Sequence, residues 1–253
     1  MNEGRENPQG EICDNREVYP RKTSTTFSLE INRVTKVKKM QRAKSLGISP
    51  SEMGVVAFTL LYMLTSLFAT VRGGNREFIF YFFVMLLLSV VVWLVHLRVR
   101  FHIAALWGLS IWGLAHMAGG LMPIPDSWPI IGESHVLYNW VIVPGLLKYD
   151  QLVHAFGFGL VTWLCWQSLQ SAFIQRGCEI KPTLGLMALC MAAGMGFGAA
   201  NEVVEFIATL IFPGTNVGGY NNTGWDLIAN LAGSFFAAVT VAIRTQKTRD
   251  LLD

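Results

Sequence analysis

Charged residues are scarce in this chain of 253 residues, because Asp, Glu, Lys and Arg together make up only 15% of it. An average soluble domain contains about 25% charged residues, so the composition argues against an ordinary soluble protein. The net charge of +3 is small, and the chain carries no recognisable nucleic-acid-binding motif. We therefore expect no nucleic-acid partner.

Cysteines and familiar catalytic motifs are also few. The four cysteines form no CxxC pair and follow no regular spacing, which argues against a disulfide framework. Cys165 and Cys190 fall in hydrophobic runs, where buried free thiols are expected. The sequence contains neither a P-loop nor a GxSxG nucleophile motif. Its first 50 residues are polar and lack the apolar stretch of a cleavable signal peptide, so we expect the first membrane helix to act as its own insertion signal.

Long hydrophobic runs are what this chain has in abundance, with 52% hydrophobic residues. Several runs reach about 18 to 20 residues, the length that crosses a bilayer as a helix. We predict an all-α fold, a polytopic membrane helix bundle of about six transmembrane helices over residues 51–245. A basic, largely disordered cytoplasmic tail over residues 1–50 would precede it, and a short cytoplasmic tail over residues 246–253 would follow. The predicted spans are Gly54–Val71, Phe78–Leu97, His102–Leu121, Gln151–Phe173, Leu184–Phe212 and Leu227–Ile243.

The distribution of Lys and Arg predicts the orientation. If the N-terminus is cytoplasmic and six spans alternate, 17 of the 20 cations lie inside and three lie outside, namely Arg72, Arg76 and Lys148. Cytoplasmic loops of membrane proteins carry an excess of Lys and Arg. We therefore predict a multi-pass protein of the bacterial inner (cytoplasmic) membrane with both termini in the cytoplasm.

Ionisable residues inside the predicted spans are the main functional clue, because such residues are costly in lipid and usually face the bundle interior. Three pairs share a helix face by their spacing of three or four residues, and one histidine lies alone in the third span. At roughly 1.5 Å of rise per residue, all fall within about 15 Å of the predicted outer boundary. These residues are His116, the pair Asp150 and His154, the pair Glu202 and Glu205, and the pair Asp226 and Asn230.

Four carboxylates at one depth would repel one another without a cation. A bound divalent metal removes that conflict, and carboxylates together with imidazole suit Mg, Mn, Fe or Zn. The predicted metal ligands are Asp150, His154, Glu202, Glu205 and Asp226, with His116 as a further ligand or general base. Proton-coupled carboxylates and purely structural ones are the alternatives. In the structural alternative, Asp150 and Asp226 stand where N-terminal caps would stand.

Other histidines are weaker candidates. His96 and His102 flank a predicted cytoplasmic loop, where we expect them to snorkel to the interface. His135 lies in the loop between the third and fourth spans, where we expect a surface role.

The motifs HMAGG, YDQLVHAFGFG, GFGAANEVVEF and VGGYNNTGWDLIANLAG resemble the YjdF family of uncharacterised bacterial inner-membrane proteins over about residues 54–244. More distantly, their order is similar to that of VanZ-like proteins, which are named for a glycopeptide-resistance accessory. The resemblance implies a helical membrane protein and indicates Asp150, His154, Glu202, Glu205, Asp226 and Asn230 as signature positions. Two positions depart from the VanZ-like pattern: Gln151 follows Asp150 where a lysine is common, and Asn201-Glu202 with Glu205 replaces Asp-Glu-x-x-Gln.

Three functions fit these patterns. The first is a divalent-metal-dependent hydrolase or transferase that acts at the outer leaflet on a lipid or lipid-linked phosphate, with membrane lipids as its partners. The second is a small transporter in which the same acids bind a proton or cation in transit. The third is a non-catalytic membrane scaffold whose acids hold the bundle together.

Overall fold

The structure is a computed structural model that describes residues 48–250, the last five of them by their backbone alone. Six helices dominate it. They are α1 (Pro50–Gly73), α2 (Arg76–Val99), α3 (Ile103–Leu121), α4 (Tyr149–Ile174), α5 (Leu184–Ile211) and α6 (Tyr220–Asp250). The predicted N-terminal tail over residues 1–50 lies outside the described residues except for its last three. Of the predicted C-terminal tail over residues 246–253, the first five continue α6 and the rest lie outside the described residues.

All six helices are long and apolar enough to cross a membrane, which confirms the predicted all-α bundle. Large apolar side chains are exposed along every helix, among them Leu64, Leu87 and Phe236. This is the surface expected where lipid replaces water as the solvent for the outer face of a bundle.

The sixth helix begins at Tyr220, seven residues before the predicted start at Leu227. The segment YNNTGW is polar and contains glycine, so its composition favours a turn. In the structure, side-chain hydrogen bonds from Asn222 to Asp150 and Asp226 hold this first part of α6 in place. Tertiary contacts therefore override the local preference.

The connection between α3 and α4 is the only long one in the described part of the chain. It contains a short 3-10 helix (Leu137–Asn139) and the antiparallel strands β1 (Val141–Val143) and β2 (Leu147–Lys148). The rings of Trp128 and Trp140 lie 4.6 Å apart within it. The connection covers one end of the bundle, where α3 and α5 end and α4 and α6 begin; we call this the site end.

Helix α4 makes its most extensive contact with α6. A Cβ built on Gly233 would collide with the carbonyl of Ala155, and one built on Gly159 would meet the carbonyl of Gly233 at 3.0 Å. The two backbones therefore touch because these positions lack side chains, as in other close-packed membrane helices. On α5, Gly194 and Gly198 face neighbouring side chains, whereas Gly196 faces open space.

The end of α4–α6 away from the site is filled by apolar side chains. The floor cluster, as we name it, consists of Trp166, Met187, Cys190, Ala238 and Val241. Cys190 is buried and Cys165 packs against the cluster, and both carry free thiols as predicted.

His96 does not snorkel as the sequence suggested. It is only 2% exposed, and its Nε2 lies 2.8 Å from a carboxylate oxygen of Glu52 on α1. The ring also stacks on Phe101, with centroids 6.1 Å apart. His102 instead caps α3, its Nδ1 accepting a hydrogen bond from the Ala104 amide at 3.2 Å. The partner on another helix, which no local pattern reveals, explains the burial of His96.

Candidate functional site

The predicted polar residues meet around His154, which is 2% exposed on the second turn of α4. Its Nε2 lies 3.7 Å from Asp150 Oδ1 and 3.8 Å from Glu205 Oε1. Its Nδ1 lies 3.5 Å from Glu202 Oε1 and 3.2 Å from Asn230 Oδ1. One imidazole thus joins side chains from α4, α5 and α6.

The contact with Asn230 orients this imidazole. An amide oxygen can only accept a hydrogen bond, so the proton belongs on Nδ1 and the lone pair on Nε2. Nε2 has no hydrogen-bond partner among the described residues, and it faces Asp150 and Glu205. A second-side hydrogen bond of this kind is the usual way to present an imidazole to a metal.

Several carboxylate oxygens at the site also lack hydrogen-bond partners in the part of the chain that the structure describes. Asp226 is fully buried and its Oδ1 has none. Glu202 is 9% exposed, and neither of its oxygens has one. Buried polar groups are normally hydrogen-bonded, so these atoms indicate a missing partner. Asn201 turns towards Glu205 instead, donating from Nδ2 to Oε1 over 2.8 Å.

Two ligand groupings follow from this geometry. The first grouping consists of Asp150, His154 and Asp226, and the second of His154, Glu202 and Glu205. In each grouping, one ligand atom from every residue lies within 4.8 Å of the other two. The groupings share His154 and lie on adjacent faces of it. His116 belongs to neither, so the structure separates it from the other predicted ligands.

Lys148 and Asn222 are site residues that the sequence reasoning missed. The Lys148 ammonium lies 3.2 Å from Asp150 Oδ2 and also donates to the side-chain oxygen of Asn222. The Asn222 amide nitrogen donates to Asp150 over 3.2 Å and to Asp226. The spacing of four residues between Asn222 and Asp226 was a usable signal, because it places both on one face of a helix.

Neither aspartate is a helix cap. Asp150 is the second residue of α4, and Lys148 stands at its N-terminal boundary. Asp226 is six residues inside α6. Their carboxylates face the cluster, as the contacts with Lys148 and Asn222 show.

Next to this cluster lies a small cavity of about 30 Å³, which we call the inner chamber. His116, Tyr81 and Tyr138 line it together with the carboxylates of Glu77, Asp150 and Glu205. The His116 ring packs edge-on against both tyrosines, with centroids 6.5 Å and 5.6 Å away. Burial, followed by the negative charge of Asp150, raises the pKa of Tyr138 well above its ordinary value, so its hydroxyl keeps its proton.

The motif HMAGG shapes this chamber. A Cβ on Gly119 would meet the Tyr138 ring at 2.5 Å, and one on Gly120 would collide with Phe78. The two glycines therefore give α3 the flat face against which these aromatic rings pack. This is why a lone histidine and a glycine pair occur together at the end of the third span.

A second, larger cleft of about 1530 Å³ opens at the site end. It shares Glu77, Asn139, Asn216 and Asn222 with the inner chamber, so the two adjoin. Asn216 closes the boundary between them, because its Oδ1 accepts from the Ser134 hydroxyl at 2.6 Å and from Asn139 at 3.1 Å. Its backbone amide donates to Glu77 over 3.3 Å.

The family described as "Predicted membrane protein (DUF2238)" matches residues 54–247. The chain belongs to this family. The matched range holds all six helices, apart from the first residues of α1 and the last of α6, and every site residue named above. The family is uncharacterised, and its description agrees with the six apolar helices. Comparison with curated proteins and with solved structures finds no match.

Proposed function

We propose that this protein is a divalent-metal-dependent hydrolase or transferase that acts at the outer leaflet on a lipid or lipid-linked phosphate. The observation that carries the proposal is the convergence of three carboxylates on His154, with Asp226 grouped beside it, and the unpartnered, buried oxygens on Glu202 and Asp226.

The charge balance favours a cation. Among the described residues, one cation contacts the group of four carboxylates. It is Lys148, which contacts Asp150. Leaving charges unpaired in a buried site costs several kcal/mol each, by order of magnitude. A divalent cation between Asp150, His154 and Asp226, or between His154, Glu202 and Glu205, would offset most of this charge. The ligand set of carboxylates and one imidazole suits Mg, Mn, Fe or Zn.

The bound cation would supply Lewis-acid stabilisation of a phosphoryl oxygen. The chain itself would do the rest. The carboxylates would hold the cation, and His116 would accept a proton from the attacking water or hydroxyl as the new P–O bond forms. The P–O bond to the leaving group would break, and that group would take a proton from solvent. His116 suits this role because it lines the chamber beside Asp150 and Glu205 and its Nδ1 has no partner among the described residues.

Access and orientation support a headgroup substrate. The 1530 Å³ cleft adjoins the inner chamber at the site end, which the distribution of Lys and Arg assigns to the outer face. A headgroup could enter there from the outer leaflet while its chain stays in lipid. The resemblance to YjdF and, distantly, to VanZ-like proteins supports a role in the bacterial cell envelope.

A proton- or cation-coupled carrier is the second candidate. Buried Asn230 and Ser234 extend a polar line along α6 beyond the acids, together with Thr162 on α4. However, the Thr162 and Ser234 hydroxyls both donate to the carbonyl of Phe158, and the floor cluster follows directly. This arrangement favours a site open to one side.

The test is the metal content of protein purified in detergent without chelators, measured by elemental mass spectrometry before and after metal add-back. We expect about one or two equivalents of one metal in wild type and loss of it in a folded Glu202→Gln, Glu205→Gln double variant. Glu179→Gln, at an exposed position in the α4–α5 connection, is the matched control and should keep the metal. The absence of metal from wild type after add-back would refute the proposal. Metal retained by the double variant would show that Glu202 and Glu205 are not ligands. A metal-loaded protein then justifies screening lipid phosphates for turnover.

A further inference from the structure

The inner chamber is lined by hydrogen-bond donors together with carboxylates. The hydroxyls of Tyr81 and Tyr138 and the amide nitrogen of Asn216 are buried and have no partner among the described residues. Tyr81 is only 7% exposed on α2. Three carboxylates line the same chamber: Asp150 and Glu205 of the cluster, and Glu77 on α2.

Such unpartnered donors indicate a ligand that accepts hydrogen bonds. Leaving a buried hydroxyl unpaired costs about 1–3 kcal/mol, so these tyrosines would be costly as core residues alone. Phenylalanine would fill the same space without that cost. An acceptor in the chamber must also tolerate the carboxylates that line it. A phosphoryl group does so when a divalent cation lies between it and the carboxylates.

The size of the chamber restricts which part of the ligand enters. Its 30 Å³ has room for about two water-sized groups, since one such group needs roughly 10–15 Å³. The adjoining cleft is about 1530 Å³. The chamber therefore takes the oxygens at the end of a molecule, while the cleft takes the remainder.

We propose that Tyr81, Tyr138 and Asn216 bind the terminal oxygens of a phosphomonoester or of a terminal pyrophosphate, and that the inner chamber excludes phosphodiesters. This inference rests on the proposed function, which it deepens by naming the substrate class. The small volume of the chamber discriminates, because a diester carries a carbon substituent on an oxygen that is terminal in a monoester, and the chamber has no room for that carbon.

The experiment measures binding of methyl phosphate and dimethyl phosphate to the full-length, manganese-loaded protein in detergent by ³¹P line broadening. Methyl phosphate should bind wild type at least about tenfold more tightly than dimethyl phosphate. Tyr81→Phe and Tyr138→Phe should each weaken methyl phosphate binding by about tenfold, because a hydrogen bond to a charged group contributes roughly 1.5–3 kcal/mol and 1.4 kcal/mol is a factor of ten. Their manganese content should stay unchanged.

Tyr62→Phe is the matched control, because Tyr62 is a buried tyrosine on α1 that does not line the chamber; it should bind as wild type does. Equal binding of the two phosphates by wild type would overturn the inference without reference to any variant. Tight methyl phosphate binding by folded Tyr81→Phe and Tyr138→Phe proteins would also overturn the inference, and so would a wild type that binds manganese but neither phosphate. A wild type that fails to bind manganese would overturn the proposed function as well, so failure of the inference and failure of the proposed function are distinguishable.

Discussion

The ammonium nitrogen of Lys148 lies 3.2 Å from a carboxylate oxygen of Asp150. Both side chains are largely buried, 8% and 14% exposed respectively. This pair compensates one of the four carboxylates and leaves the rest to a different partner. The pair therefore sets how much charge a bound cation must offset.

We expect Lys148→Met to lower the thermal unfolding midpoint of the metal-free protein and to increase the gain in midpoint on adding manganese. Removing one partner of a buried ion pair costs about 3–5 kcal/mol, and a cation that binds only the folded state recovers stability in proportion to its affinity. Thermal unfolding in detergent, with chelator and with manganese, measures both effects. Lys181→Met, at an exposed position, is the control; the same manganese gain in both variants would contradict the prediction.

Gly198→Ala should disturb the metal site by displacing the side chain of Asn230. A Cβ at this position would lie 2.6 Å from the Asn230 amide nitrogen, so Asn230 would have to shift away from His154. We expect a lower unfolding midpoint and weaker metal binding. Gly196→Ala is the matched control on the same helix, since nothing lies within 4 Å of its added Cβ; it should be neutral or stabilising by up to about 1 kcal/mol. Equal effects of the two substitutions would refute this account of the helix contact.

Asn230→Ala should weaken metal affinity by about 10- to 100-fold, the usual cost of losing a group that orients a metal-binding histidine. The Asn230 oxygen lies 3.2 Å from His154 Nδ1 and fixes its tautomer. A metal titration of purified protein gives the affinity. Ser234→Ala, one turn further along α6 and also fully buried, should keep wild-type affinity. Unchanged affinity in a folded Asn230→Ala protein would exclude this role.

His96→Ala should destabilise the bundle and leave the metal content unchanged. The hydrogen bond that His96 Nε2 donates to a carboxylate oxygen of Glu52 joins α1 to α2 at the end away from the site. A buried hydrogen bond to a charged group contributes roughly 1.5–3 kcal/mol. Unfolding midpoints and elemental analysis of the same samples separate stability from metal binding. Metal loss from folded His96→Ala protein would show that the two ends are coupled.

Reporter fusions test the predicted orientation. A fluorescent protein that matures only in the cytoplasm should be bright when fused at either terminus, and a cysteine placed at Glu133 in the α3–α4 connection should react with an impermeant thiol reagent added to intact cells. A dark C-terminal fusion, at normal expression, would overturn the orientation and the outer-leaflet assignment with it.

The spans were predictable because apolar length alone determines whether a helix can cross a bilayer. The pairing of Asp150 with His154 and of Glu202 with Glu205 also followed from helix periodicity, and their equal depth predicted that the structure would bring them together. The start of α6 was not predictable, because it depends on Asn222 contacting a residue 72 positions away.

The residues of the inner chamber could not be predicted from the sequence for a different reason. Tyr81 and Tyr138 look like ordinary aromatic residues in an apolar helix and an interfacial loop, and only the folded chain reveals that they line one chamber with His116 and the carboxylates. His96 shows the converse case, a histidine near a predicted helix end whose partner, Glu52, lies 44 residues earlier. Long-range pairing of this kind leaves no periodic trace in the sequence.

The floor cluster has a consequence for the cell's energy supply. Trp166, Met187 and Val241 belong to one apolar cluster beyond the polar site. In the proposed orientation, water that reaches the acids from the outer face would meet this cluster, and we expect a membrane with many copies of the protein to keep its voltage and its proton gradient.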